Sequence, residues 1–398
     1  MTRNKEEAGW RFSLRRGDQE WEPKELAAKL EETIDEGTWL LCHWPDSAAS
    51  SPRLRVSVDA PQTQLGRAAS MELLLSIRGH LKLALTAYAK ERNWPLPAVE
   101  VDFKASEDSD WSYRGLLDRT LIFNGEIQRG KLLAIGEPEQ LSGLLGLETL
   151  DPFMALPAKW IAPAQREQAM RLGMGAIFDE SSLIAAHTLH GTSPSWAQTF
   201  GLSEALQWLS SAPLRPELLE SVVLKSQGLF LETLKELIES DLWLPPADQF
   251  VELMARKLPM ADLDPWMLIE LLRTEVVPEN LSRWQDEHQT LWAVEWRSDS
   301  KMELSNRHLR RLEHAFGKIA TVGTPVVLTD LENRRGLAQA LRHAFPGTPV
   351  LSWQELETAP QLNVVAVVDA RMEFDPSPWP GRVYEFGNFD VQRNPKDN

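Results

Sequence analysis

Apolar side chains recur along this chain with two different periods, and the switches between them divide it into blocks. Trp10 to Leu14 alternates as a strand, Pro23 sits where a first helical turn tolerates it, and Leu26, Leu30 and Ile34 recur at helical spacing before Gly37 stops the helix. Thr38 to Trp44 is a β-branched and aromatic run, so residues 1–52 read as a small strand–helix–strand, βαβ-like extension, with Ser47–Pro52 as linker. Leu54 to Val58 alternates again. Ser70 is placed to cap a long helix on which Leu74, Ile77, Leu81, Ala84 and Tyr88 form one stripe, a spacing that predicts burial.

Val99 to Phe103 reads as the next strand, followed by the acidic loop Ser106–Asp110 and the aromatic pair Trp111 and Tyr113. Gln165 to His190 has the pattern helix, strand, helix, and Ser203 to Leu258 is almost entirely helical. From about 285 to 372 the pattern alternates. Leu309, Leu312, Ala315 and Ile319 mark a helix, Thr324–Thr329 a buried strand, Leu337–Phe345 a helix and Val364–Val368 a continuous apolar strand, which together imply helices packed on a largely buried sheet. The tail 373–398 is rich in Pro, Gly and Asp and reads as flexible, although Val383 to Phe386 is suited to extending a sheet edge.

Length and charge narrow the function classes. At 398 residues the chain is longer than one core usually fills. Its net charge of −16 argues against a phosphate-binding surface and hence against nucleic acid as a partner. The best membrane candidate, Met71–Ala89, is interrupted by Glu72, Arg78, His80 and Lys82, short of the roughly 20 apolar residues a span requires, so no direct membrane insertion is expected. The start carries no apolar signal core, and the one cysteine, Cys42, cannot form an internal disulfide; both features point to a reducing, cytoplasmic setting.

Catalytic and cofactor motifs fail one by one. Cys42 and His43 are neighbours on a strand and point to opposite faces, which places them poorly for proton transfer. His187 and His190 share a helix face, but two ligands are too few for a metal, and packed or hydrogen-bonded histidines are the expectation. Gly173-Met174-Gly175 lacks a third glycine, and no P-loop, G-x-S-x-G elbow or H-E-x-x-H helix occurs. No catalytic residue, metal or cofactor is therefore expected. The 16 tryptophans suit either cores, as expected for Trp160, Trp208 and Trp353, or binding hot spots, for which Trp111 and Trp379 are the exposed candidates.

Several fragments in order carry a family resemblance. They are Gly130-Lys131-Leu132-Leu133-Ala134-Ile135, Leu156 to Ile161, Gly173 to Asp179, Ala185-Ala186-His187, Pro325 to Leu328, Arg334 to Leu337 and Pro346 to Leu356. Together, over about residues 53–370, they resemble the cytoplasmic domain of the large export-gate protein of flagellar and injectisome type III secretion systems, the FHIPEP family. Full-length members carry a membrane half ahead of this domain. The chain is read as a soluble relative lacking that half, or as an excised domain.

The resemblance implies an α/β, α+β multidomain fold of four subdomains. These would be a first α/β subdomain at 53–161 with a β-rich insert at 97–136, a mainly helical one at 162–262, and a C-terminal α/β one at 263–372. It also implies a docking platform rather than an enzyme, in a ring of about nine subunits peripheral to the inner membrane, with chaperone–cargo complexes or other export proteins as partners. In the family, cargo docks in a cleft beside the insert, and the neighbourhood often reads Arg-Asp-Asn where this chain has Phe103-Lys104-Ala105. The partner-binding candidates are Phe103, Lys104, Glu107, Asp108, Asp110, Trp111 and Tyr113. Ring contacts are expected to expose apolar side chains between Leu202 and Leu258. Near Pro245 and Asp248, Ala247 stands where the family usually has Arg. The alternatives are a ring component that binds no cargo, and an unrecognised enzyme.

Overall fold

Strand alternation and one long amphipathic helix organise the first part of the protein. The structure, a computed structural model, describes residues 11–16, 19–21, 38–44, 52–61, 67–106, 110–261, 264–298, 304–356, 361–370 and 382–385. They divide between two compact units, Met1–Ser211 and Ala212–Asn398.

The first unit holds a seven-stranded mixed sheet, order β2-β1-β3-β5-β4-β6-β7. Its strands are β1 (Arg11–Arg16), β2 (Gln19–Trp21), β3 (Thr38–Trp44), β4 (Leu54–Pro61), β5 (Val99–Ser106), β6 (Trp111–Leu117) and β7 (Thr120–Ile127). The N-terminal segment is not a βαβ unit: β1 and β3 run antiparallel, and β3 pairs antiparallel with β5, so these strands extend the main sheet. The helix expected between them lies outside the described residues. The parallel crossover instead joins β4 to β5 through α1 (Arg67–Arg92).

α1 begins three residues before Ser70, which lies within the helix and does not cap it. Leu74, Ile77, Leu81 and Leu85 are fully buried on its inner face, as helical spacing requires, while Leu83 points to solvent. At its end Tyr88, Trp94 and Trp196 stack at centroid distances of 4.9–6.2 Å, and Trp196 Nε1 donates to the Pro95 carbonyl. An indole buried this deeply needs such an acceptor.

A smaller antiparallel sheet, order β11-β8-β10-β9, follows. It comprises β8 (Leu132–Ile135), β9 (Gly146–Leu150), β10 (Pro157–Ile161) and β11 (Ala176–Phe178). Its core is Leu132, Ala134, Leu144, Ile161 and Ala169. The span 97–136, expected as one β-rich insert, is shared between two sheets: β5, β6 and β7 complete the large one and β8 opens the small one. α2 (Glu180–Thr192) starts at Asp179, whose carboxylate accepts from the Ser182 amide, and packs beside α1 and against β6, β7 and β8. α3 (Leu202–Ser210) closes the unit, so the boundary at Ser211 falls inside the helical block expected at 162–262.

The second unit opens with α4 (Gln227–Glu239), α5 (Ala247–Lys257) and α6 (Pro265–Asn280). A mostly parallel sheet follows, order β14-β13-β12-β15-β16, from β12 (Thr290–Arg297), β13 (Val326–Thr329), β14 (Val350–Ser352), β15 (Gln361–Asp369) and β16 (Arg382–Glu385). α7 (Asn306–Ile319) and α8 (Leu331–Leu341) are interleaved with these strands, and α8 starts six residues before the expected Leu337. Val294, Trp296, Leu312, Phe316, Val327, Leu337 and Leu341 form the core, as the alternation of helix and strand implied. β16 adds antiparallel to β15, which realises the edge extension read at Val383; the remainder of 373–398, Trp379 included, lies outside the described residues.

Two buried arginines are held by carboxylates. Arg273 Nε donates to Glu355 at 2.6 Å with both side chains 1% exposed, and Arg334 pairs with Glu270. Glu355 also accepts the Ser352 amide, which ties β14 to α6.

Candidate functional site

The sequence-selected aromatics sit on β5 and β6, and the pleat decides their fate. Along β6 the residues Trp111, Tyr113, Gly115 and Leu117 face the core, while Ser112, Arg114 and Leu116 face out. Trp111, expected to be exposed, is 5% exposed; Phe103 crosses it edge-on at 5.7 Å, and the Arg129 guanidinium lies 5.0 Å from its ring. Its acidic sequence neighbours suggested solvent, but side-chain direction in a strand follows the period of two. Phe103 and Tyr113 are buried as well.

Tyr113 is the one of these aromatics that reaches chemistry. Its hydroxyl hydrogen-bonds His187 Nδ1 on α2 at 2.9 Å, inside a cage completed by Phe123 and Phe153. Burial, aided by His190, pushes His187 down to about 4, so the imidazole is neutral at pH 7; burial also raises Tyr113. Phe123 lies flat over Gly115, where an added Cβ would come within 2.1 Å of the ring. Both histidines are packed against Phe153.

The polar candidates disperse. Lys104 Nζ lies 3.7 Å from Asp59, which Arg114 also approaches at 3.6 Å. Neighbouring Asp102, 1% exposed, is pushed up to about 6 by burial, against the pull of Ser57 and Arg55. Asp110 is exposed, and Glu107 and Asp108 lie outside the described residues. Phe103, Lys104, Trp111 and Tyr113 therefore do not border one open cleft as expected; of these four, Tyr113 alone lines the neighbouring groove.

A groove of about 560 Å³ is lined by Asp59, Ser112 and Tyr113 at its base. Arg114, Leu121, Asn124 and Glu126 supply one wall from β6 and β7, and Thr149, Leu150, Pro152 and Trp160 the other from β9, its following loop and β10. Both β7 and β9 are edge strands of their sheets. Leu121 is 55% exposed and Leu150 60%, both in the groove, and Leu145, Leu147, Met154 and Leu156 are exposed in the same stretch of chain as Leu150. Five exposed large apolar residues within 145–156 exceed the scattered apolar exposure normal for a surface. In the helical block where exposure was expected, the described span 202–258 exposes Leu224 alone among large apolar residues. Ala247 is buried, so the turn after Pro245 makes apolar contact where a charge had been considered.

Two devices hold the segment 144–156 in place. Asp151 Oδ1 accepts the amides of Phe153 and Met154, and Oδ2 that of Leu156, at 2.7–3.0 Å. Lys159, 7% exposed, reaches under β9 to donate to the carbonyls of Leu141 and Leu144, capping the short helix Pro138–Ser142. The only sequence signal for this site was the run Leu144-Leu145-Gly146-Leu147, too apolar for a loop and too short to specify an edge strand.

The chain is similar to several known proteins. Flagellar biosynthesis protein FlhA of Escherichia coli (strain K12) is 26% identical over 372 residues, covering 88% of this chain and 51% of that protein. FlhA of Bacillus subtilis (strain 168) is 23% identical over 280 residues, 65% of this chain and 41% of that one. The chain thus spans about half the length of the curated relatives it matches. Among solved structures, the Chlamydia pneumoniae CdsV protein superposes with a TM-score of 0.58 at 13% identity, over 82% of this chain and 98% of that one. The CdsV and CdsO complex of that organism gives 0.57 at 14%, over 78% and 96%. The nonameric EPEC SctV-C gives 0.51 at 16%, over 81% and 99%. The FHIPEP family itself matches residues 45–361, and this chain belongs to it.

Proposed function

We propose that the protein is a non-catalytic component of a type III or flagellar export apparatus, and that it receives export proteins in the groove between β7 and β9. One observation carries this reading: Leu121 and Leu150 present exposed apolar side chains in a groove edged by two open strands, with Leu145, Leu147, Met154 and Leu156 exposed in the same stretch of chain as Leu150. Apolar anchors surrounded by polar groups are how docking surfaces hold partners, and open strand edges supply backbone hydrogen bonds. The CdsV and CdsO complex supports a protein partner, and nonameric SctV-C supports a ring of copies placed at the cytoplasmic face of the inner membrane. No helix among the described residues is long and apolar enough to cross a membrane.

The test is interferometry against chaperone–cargo complexes of the same organism's export system, with Leu150→Asp/Met154→Asp beside the parent chain. Removing two central anchors is expected to weaken binding at least tenfold, because each hot-spot anchor contributes about 2 kcal/mol. Undiminished binding by the folded double variant refutes the groove.

A second reading has its own observation. Lys104 and Arg114 both approach Asp59, which lines the groove, and so offset the acidic charge of that wall. A gate-associated ring subunit that binds no cargo would co-assemble with a full-length export gate yet capture none of the complexes above.

A further inference from the structure

Helix α7 (Asn306–Ile319) wears two faces. Leu312, Ala315, Phe316 and Ile319 are buried against β12 and β15. With 3.6 residues per turn, Arg307, Arg310, Arg311, His314 and Lys318 fall within an arc of about 100° on the other side. Arg307, Arg310, His314 and Lys318 are exposed and Arg311 is half-buried. The stripe runs about 16 Å at 1.5 Å per residue. Glu313 is the single carboxylate on the helix and lies about 120° from the centre of the arc.

This concentration of cations stands in a chain of net charge −16. Elsewhere in the same unit several surface cations are matched, Arg215 with Glu252, Lys257 with Glu275, Arg283 with Asp241 and Arg342 with Glu239, and those left unmatched, such as Lys225 and Arg256, do not gather on one helix face. Arg310 and Lys318 form no ion pair with any described residue. Fold stability does not need them, since the helix is held by its apolar side and capped by Ser305.

We propose that this stripe is a docking face for an acidic helical segment of a partner protein. Arginine fork geometry suits carboxylates presented every third or fourth residue, and three turns of such a segment match the length of the stripe. The observations favour protein over nucleic acid: four fixed cations on a stripe of three turns are fewer than the six to ten phosphate contacts that drive typical binding. They also disfavour a lipid surface, because the apolar side of α7 is spent in the core and the basic arc carries no apolar anchor.

The test uses the whole chain and a labelled peptide of about 18 residues with Glu at steps of three and four in an Ala/Gln background, beside its all-Gln counterpart, read by fluorescence anisotropy. The parent chain is expected to bind the Glu peptide at least tenfold more tightly than the Gln peptide at about 50 mM salt, with the preference collapsing towards 300 mM. Arg310→Glu/Lys318→Glu should abolish the preference, and Arg310→Gln/Lys318→Gln should reduce it severalfold, both with unchanged melting. Equal binding of the two peptides, or a preference that survives in both variants, overturns the proposal. So does tighter capture of a 20-nucleotide RNA or phosphatidylglycerol vesicles that the variants lose, or a drop in oligomer mass in the variants, which would assign the stripe to contacts between copies.

Discussion

The Tyr113 hydroxyl and His187 Nδ1 meet at 2.9 Å between the large sheet and α2, both residues being buried. Removing the hydroxyl leaves a buried imidazole nitrogen without this partner. Tyr113→Phe is expected to cost about 1–3 kcal/mol, the usual penalty for a stranded buried polar group. Urea titration of the variant checks it; a midpoint unchanged from the parent would show the bond to be dispensable.

His187 and Asp102 are expected to oppose each other in the pH dependence of stability. His187 titrates near 4 when folded and 6.5 when unfolded, so the unfolded chain binds its proton first and stability falls as pH drops from 6.5 to 4. Asp102 titrates near 6 folded and 3.8 unfolded, so its contribution is present below 3.8 and is lost as pH rises through 6. Each is worth on the order of 3 kcal/mol at full effect. His187→Phe should therefore gain stability relative to the parent at pH 4, and Asp102→Asn should gain at pH 7. Melting curves at pH 4, 5.5 and 7 decide, and a parallel shift at all three pH values would contradict the assignment.

Asp151 should govern the groove wall rather than the global fold. Asp151→Ala strands the amides of Phe153, Met154 and Leu156. Hydrogen exchange at 153–156 is expected to accelerate tenfold or more, a local loss of about 1.4 kcal/mol or greater, with smaller changes in α1. Uniform acceleration across the first unit would mean that the loop and the core open together.

Gly146 admits no side chain. A Cβ there would come within 2.1 Å of the Trp160 carbonyl on the paired strand. Gly146→Ala should detach β9 from β10 and weaken partner capture, while Gly175→Ala, which meets no neighbouring atom, leaves capture unchanged. Intact binding by Gly146→Ala would remove β9 from the docking surface.

The buried pair Arg273–Glu355 offers a cycle. Arg273→Met alone leaves a buried carboxylate uncompensated and should cost about 3–5 kcal/mol, whereas Arg273→Met/Glu355→Met should cost less. A double variant as unstable as the sum of the singles would deny the coupling.

How far the residues foretold this architecture depended on whether local pattern or distant pairing set the outcome. The stripe of α1 and the run Thr38–Trp44 were legible because a buried face imposes its period on the sequence. Trp111 was misjudged from its acidic neighbours although the alternation Trp111, Tyr113, Gly115, Leu117 already placed it inward. The joining of β3 to β5 and the division of 97–136 between two sheets were not legible, since strand partners across tens of residues leave no local mark. The groove was hidden for the same reason: Leu121 and Leu150 become neighbours of one surface only once both sheets exist.

The position of β12 bears on how the protein is made. β12 lies in the middle of its sheet, flanked by β13 on one side and by β15, which ends at Asp369, on the other. During synthesis β13 and β14 emerge first, so the far edge of β12, with Leu291, Ala293 and Trp296, stays open until β15 has emerged and paired with it. A nascent chain stalled before that point presents an apolar strand edge with free backbone donors, the state in which strands of separate chains pair with each other. Each new molecule thus carries an open apolar edge until β15 has docked on β12.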